Sequence, residues 1–409
     1  MIDTETSLFQ QACAVFDGWD DPETGLRVLK LQPKQTTPEC ADWFPLNTIY
    51  HQYPPFQENG RRVLLWSDAA EGIFGKGHQH VLLDLTTGAL TPASFDGWRP
   101  IAYTDHAGTG SYVKNTPDGS LPSIRDYRSG RELASFTQPD WTFDAINMLA
   151  DGRRAILGYT RAGNPRAGEY TESQFRLLDP DGNCELILDE KGWFCNHVQG
   201  CPTDPNVFAY DRWPMPRRRA DNVIYIANVD GTLHRELPML EGTLRPGGVF
   251  GCQRDHYLWT PDGKRIVSYL GTYGNEDPAA FDLPWDDHFD LEWWISAMDW
   301  RTGEDLCVQY PPERWGCNVA VSPDSRFIVS AGGRKFQYMY IIEIEQLRRG
   351  WNERILCRYP ESVEDGKNKG PFHMPFVLPD QSGVLFTAGW PGADFGVYLV
   401  EWPDQINNQ

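Results

Sequence analysis

Short apolar runs rich in β-branched and aromatic residues alternate with turns of Pro, Asp, Asn and Gly along nearly the whole chain. The unit is plain in HYLWTPDGKRIVSYL (256–270). It returns as HQYPPFQENGRRVLLWS (51–67), DAINMLADGRRAILGY (144–159), HVQGCPTDPNVFAYD (197–211), NVAVSPDSRFIVSAG (318–332) and HMPFVLPDQSGVLFTAG (373–389). Asp-Gly and Asn-Gly between apolar runs mark hairpins, because such turns need positive φ. Each copy leads into a further strand and turn: VLLDLTTGAL, FRLLDPDGNCELIL, VIYIANVDGTLHREL, WWISAMDWRTGEDLCV, YMYIIEIEQL and VYLVEWP. The repeat is therefore about four strands long and recurs roughly every 50–60 residues, the signature of a β-propeller blade.

The span between 95 and 140 supplies an atypical copy and brings the number to seven. The expected fold is all-β, a seven-bladed β-propeller in a single domain over 1–409. Its blades fall at roughly 43–95, 98–137, 141–190, 193–238, 247–309, 314–357 and 370–403. The last copy holds only three strands. GLRVLKLQP (25–33) is expected to complete it, closing the fold with an N-terminal strand and leaving no free edge. Helix is confined to FQQACAVF near the start and IEQLRRGW (344–351). Two long insertions, 271–292 and 359–371, are placed to shape a binding site on a rigid scaffold.

Composition narrows the classes. With 40% apolar residues, 16 Trp, 17 Tyr and 20 Phe in 409 residues, the chain can bury a large core and is not disordered. No run approaches the roughly 20 apolar residues of a membrane-spanning helix. The first residues carry acids and no basic n-region, so the expected location is cytoplasmic. Nine cysteines without CxxC spacing read as reduced thiols. A net charge of −20 argues against nucleic acid or an anionic membrane as partner. It leaves room for an anionic ligand where arginines cluster locally, and MPRRRAD (215–221) is the most basic run.

Aligned on their turns, several polar residues share one register. His256 lies six residues before Asp262, Asn318 six before Asp324, and His197 six before Thr203. His373 lies seven before Asp380; Tyr53 lies six before Asn59, with His51 two residues further back. In a propeller this register is the end of the innermost strand, where ligands bind. Taken singly, each histidine also fits a structural role; the common register favours one funnel. Strand alternation places residues two apart on one face, pairing His51 with Tyr53 and Arg254 with His256. His78, His80, His106, His234 and His288 lack the register and are expected at the surface or in packing. A histidine beside cations suits removal of the weakly acidic hydrogen next to a carboxylate, as in a uronic acid.

RDHYLWTPDGKRIVSY, VIYIANVDGT, MPFVLPDQSGVLFT and the N-terminal DPETGLRVLKLQP resemble the oligogalacturonate lyases, seven-bladed propellers that cleave small pectin-derived uronides by β-elimination. The likeness spans nearly the whole chain and thins between 98 and 190. It implies His256 as general base. Arg254 joins it as a catalytic candidate for the carboxylate, and His51 as a second acid/base group. The family's substrate-binding arginine has no counterpart: Val223 stands in its place, and Arg212, backed by Arg217, is the nearest replacement. Tyr53, His197 and Trp315 complete the expected substrate contacts. The family also holds a manganese-type ion, so the resemblance implies a divalent metal, manganese or calcium, for this chain. Here its His-x-His pair becomes Phe372-His373-Met374 and its third ligand Asn318. One imidazole and one amide oxygen make a poor set for a hard divalent ion. Either arginine has taken over charge neutralisation or the substrate differs, as in lyases of rhamnosyl-glucuronate or ulvan fragments.

Three readings stay open: a lyase on a small uronate-containing oligosaccharide, a propeller hydrolase, and a non-catalytic binding module. Hydrolysis needs paired carboxylates, and Asp105, Asp144 and Asp211 are not paired by their spacing.

Overall fold

The computed structural model describes residues 6–40, 46–49, 55–67, 79–93, 99–104, 111–115, 123–126, 131–136, 138–161, 172–214, 223–237, 252–272, 292–312, 314, 318–332, 337–359, 374–390 and 393–403. Along parts of these strands, Arg254 included, only the backbone is described. The described strands form seven sheets with one short parallel pair, and in five of the sheets every neighbouring pair of strands is successive in the chain. The helices are short: Leu8–Cys13 and a 3₁₀ segment, Ile344–Arg349, stand where the sequence places its two helical stretches. No helix among the described residues is long and apolar enough to cross a membrane.

The chain divides into two compact units. One comprises Met1–Tyr103, Pro311–Leu347 and Trp351–Gln409. It holds the first sheet (Gln35–Thr36, Leu46–Thr48, Phe56–Gln57, Arg62–Ser67, Gln79–Asp84, Ala89–Pro92), the sixth (Val319–Val321, Phe327–Gly332, Gln337–Glu343, Glu353–Tyr359) and the seventh. In the seventh, Phe376–Val377, Gly383–Trp390 and Ala393–Glu401 are joined by Arg27–Lys30, with Val28 opposite Val400. The N-terminal helix is tied to the same sheet. Ser7 and Gln10 form a capping box, and the Leu8 amide donates to Asp380 Oδ2 at 2.7 Å.

The other unit comprises Thr104–Tyr310 and Arg348–Gly350. Its third sheet is Trp141–Met148, Ala155–Arg161, Glu172–Leu178 and Cys184–Lys191. Its fourth is Trp193–Gly200, Val207–Pro214, Val223–Asn228 and His234–Glu236. Its fifth is Cys252–Trp259, Arg265–Thr272, Glu292–Asp299 and Asp305–Gln309. Alternation along Val207–Pro214 fills two cores. Phe208 and Tyr210 pack with Phe175 of the third sheet and with Leu149 just after its first strand, whereas Val207 and Ala209 pack with Tyr257, Trp259 and Ile266 of the fifth. Burying each large apolar side chain contributes about 1.5–3 kcal/mol, so sheets buried on both faces read as continuous apolar runs.

One turn recurs between the outer strands: DPETG (21–25), DLTTG (84–88) and DWRTG (299–303). Each aspartate Oδ1 accepts the amides two and three residues on, at 2.9–3.1 Å. Each glycine, at φ of 69–78°, donates to the aspartate carbonyl at 2.8 Å. Burial alone would raise the Asp84 carboxyl, but hydrogen bonds from Thr86 and Arg61 hold it below the usual carboxylate range. Asp299 follows the same balance, with the Thr302 and Arg301 amides outweighing burial. A depressed folded value stabilises the fold above the unfolded carboxyl value and ceases to do so as pH falls through the folded one. The melting temperature is therefore expected to drop on acidification below about pH 4. A D84N/D299N variant should melt lower at neutral pH and show a flatter acid limb. An acid limb as steep as the parent's would assign the transition to other groups.

Candidate active site

The inner strands of the fourth and fifth sheets share an irregularity that the repeat does not announce. In the fourth sheet Asn196 pairs with Asp211 and Gln199 with Ala209, so His197 and Val198 together oppose Tyr210. In the fifth, Asp255 pairs with Tyr269 and Leu258 with Val267, so His256 and Tyr257 together oppose Ser268. Both are β-bulges with two residues against one, and the first residue of each is a histidine in the left-handed region, φ 52° at His197 and 46° at His256. Glycine is the usual occupant of that position. A β-carbon there costs roughly 1–2 kcal/mol. Strain of this kind persists where the surroundings over-determine it, and it concentrates at functional sites.

The surroundings here are specific. The Tyr257 hydroxyl donates to the His197 carbonyl. Gln199 Nε2 donates to the Tyr257 carbonyl at 2.6 Å, and Trp259 Nε1 to the Gln199 carbonyl at 3.3 Å. Tyr257 is fully buried, and these bonds clamp one bulge to the next.

The bulges bring the two imidazoles together, with ring centroids 5.4 Å apart and planes inclined by 41°. Each is held from behind through Nδ1. His197 Nδ1 lies 2.8 Å from Asp211 Oδ2, and Asp211 is wholly buried and also accepts the Asn196 amide at 3.1 Å. His256 Nδ1 lies 2.6 Å from the hydroxyl of Tyr269, which is 1% exposed and stacks on the imidazole at 5.4 Å. Asp211 and Tyr269 occupy equivalent places: each is the cross-strand partner of the residue preceding its histidine. Successive repeats thus carry the same module with different anchors, a carboxyl in one and a phenol in the other. An acceptor-only carboxylate requires the hydrogen on His197 Nδ1, whereas a phenol donates or accepts. The Nε2 edge of each ring faces away from its anchor.

Of the residues expected at the site, the structure brings His197 and His256 together. Arg212 follows Asp211 and so points to the opposite face of its strand. Its guanidinium lies 4.0 Å from the Trp193 ring centre and 4.8 Å from that of Tyr225, and Nη2 is 3.1 Å from Glu190 Oε2. Glu190, 5% exposed, also accepts from the Tyr210 hydroxyl at 2.5 Å and lies 3.2 Å from His234 Nε2. His234, expected at the surface or in packing, belongs to this cluster. Asn318 is buried in the other unit. His51, Tyr53, Arg217, Trp315 and His373 lie outside the described residues, as does the side chain of Arg254. Asp211, weighed as a hydrolytic carboxylate, is instead buried behind His197. The anchors themselves escaped sequence reasoning. The signal present was a polar residue near the end of the next apolar strand, 14 residues after His197 and 13 after His256.

No family model matches the sequence, and no curated protein matches it either. Solved structures do. An oligogalacturonate lyase in complex with manganese superimposes with a TM-score of 0.69 at 18% identity, over 96% of this chain and 98% of that one. An oligogalacturonate lyase from Vibrio parahaemolyticus gives 0.67 at 16% identity, over 95% and 97%. This chain has the oligogalacturonate lyase fold. The nearly all-β, propeller-like architecture expected from the repeats is that fold. The hydrazine synthase of Kuenenia stuttgartiensis also aligns, with a TM-score of 0.54 at 12% identity over 84% of this chain and 93% of that one. One architecture thus carries unrelated chemistries, and function has to be argued from the site. Among the described residues no group of three or more His, Cys, Asp or Glu is arranged to hold a metal ion.

Proposed function

We propose that the protein is a carbon–oxygen lyase that cleaves a small uronate-containing oligosaccharide by β-elimination, with His256 as general base. The observation that supports this most is the pair of imidazoles on adjacent bulges, each anchored through Nδ1 by a buried partner of different acidity. Pairs of titratable groups whose environments differ are where acid and base roles separate. Two imidazoles this close disfavour double protonation. In the proposed step His197, 2.8 Å from the Asp211 carboxyl, carries the proton, and His256, against the Tyr269 phenol, is the neutral base. With the Tyr269 hydroxyl accepting from Nδ1–H, His256 presents its Nε2 lone pair to the hydrogen on the carbon next to the substrate carboxylate. The electron pair released passes into that carboxylate, and the positive ring of His197 lies close enough to stabilise the developing charge.

The neighbour's manganese invites the question of a metal here. His373 and Asn318 offer one imidazole and one amide oxygen, which do not make a site for a hard divalent ion. No step of the proposed reaction runs through a metal, and activity is expected to survive dialysis against a chelator. Mixing the protein with uronate oligosaccharides should raise the near-ultraviolet absorbance, because elimination creates a double bond conjugated to the carboxylate. Hydrolysis or binding alone gives no such signal, and a flat trace with every uronate substrate would remove the lyase assignment.

A further inference from the structure

The geometry of the two imidazoles constrains the sugar. Elimination breaks the bond from C5 to hydrogen and the bond from C4 to its oxygen, and the two leaving groups stand either on the same side of the ring or on opposite sides. Acid and base acting from opposite sides must flank the sugar. That requires two van der Waals contacts in series, each about 3.5–4.0 Å, or about 7–8 Å between the flanking rings. The His197 and His256 ring centres are 5.4 Å apart, so no pyranose fits between them. If both rings act, they act on one face.

Resting on the lyase reading above, we propose that His197, with Asp211 behind it, is the proton donor to the leaving O4, and that this same-side pair selects a 4-linked uronate of the gluco configuration. In a glucuronate the C5 hydrogen and O4 lie on one side of the ring; in a galacturonate they lie on opposite sides. His256 Nε2 takes the C5 proton, and the C5–H electron pair forms the C4–C5 double bond. The C4–O4 bond breaks and its electron pair stays on O4. His197 Nε2–H supplies the proton that O4 needs. The pair ends with its charges exchanged, His256 cationic and His197 neutral, and proton exchange with solvent restores it. Bulges at the same register in adjacent repeats are what place two rings side by side rather than across a cleft. Tyr257, bridging from one bulge to the carbonyl of the other histidine, holds that spacing.

Two measurements test this. The first compares oligosaccharides whose cleavable residue is a 4-linked glucuronate with galacturonate oligomers of equal length, followed by near-ultraviolet absorbance. Cleavage confined to the gluco series supports the proposal. Cleavage of the galacturonates at a comparable rate overturns it while leaving the lyase reading intact, and no cleavage of either removes both. The second uses His197→Asn, since asparagine tolerates the left-handed backbone at this position. A fall in kcat of about 100-fold or more is expected with a natural sugar leaving group. The rate should recover largely on a glucuronate carrying nitrophenolate at C4, which departs without a proton. Equal loss on both substrates would make His197 a structural residue, and no loss on either would exclude it; either result overturns the assignment.

Discussion

Replacing His256 by asparagine is expected to lower kcat/KM for elimination by about 10²–10⁴-fold, the usual contribution of a positioned acid–base group. Asparagine is the informative substitution because the backbone at His256 has a φ of 46°, which asparagine accepts with little strain. Alanine would add a conformational cost of roughly 1–2 kcal/mol to the chemical one. The variant should keep its melting temperature within a few degrees, since His256 is partly exposed and its bulge is also held by Tyr257 and Gln199. Tyr269→Phe gives the companion result. It removes the hydroxyl 2.6 Å from Nδ1 and should slow turnover with little effect on KM. Near-wild-type turnover by the His256→Asn protein would take His256 out of the base role.

Replacing Arg212 by methionine is expected to act on stability instead, by about 3–5 kcal/mol, the usual cost of removing one partner from a buried ion pair. Glu190 is 5% exposed and would lose its guanidinium. Trp193 and Tyr225 would lose the cation between them, a contact of about 0.5–2 kcal/mol. A denaturant titration measures the loss. The double variant R212M/E190Q should recover part of it, because replacing a whole buried pair is far less costly than breaking it. KM of the folded fraction should be unchanged. A raised KM at unchanged stability would place Arg212 on the substrate, the role its position beside MPRRR suggested.

These two residues show how far the sequence could be read. The register of His197 and His256 was legible because each strand is counted from a Pro-containing turn, and turns punctuate sequence strongly. Their meeting was legible only as a consequence of repeat stacking. The bulges were not legible, because a left-handed residue is normally signalled by glycine and here it is histidine. A bulge shifts the period-2 pattern by one, so spacing alone does not fix which residues share a face across it. Arg212 shows a different limit. Adjacent residues on a strand face opposite ways, so Asp211 and Arg212 take different neighbours, yet nothing in YDRWP says which faces which.

By itself the sequence determined the secondary structure and its repetition: apolar runs of strand length, turns whose Asp and Gly tolerate positive φ, and a common place for polar residues before those turns. Local sterics and hydrophobic periodicity act over a few residues and are written directly in the chain. Only the tertiary structure decided which polar side chain stands behind each histidine. Asp211 and Tyr269 reach their imidazoles across a strand pair, and His197 meets His256 across two sheets. Such contacts depend on bulge geometry and sheet packing, which sum many weak interactions between segments far apart along the chain.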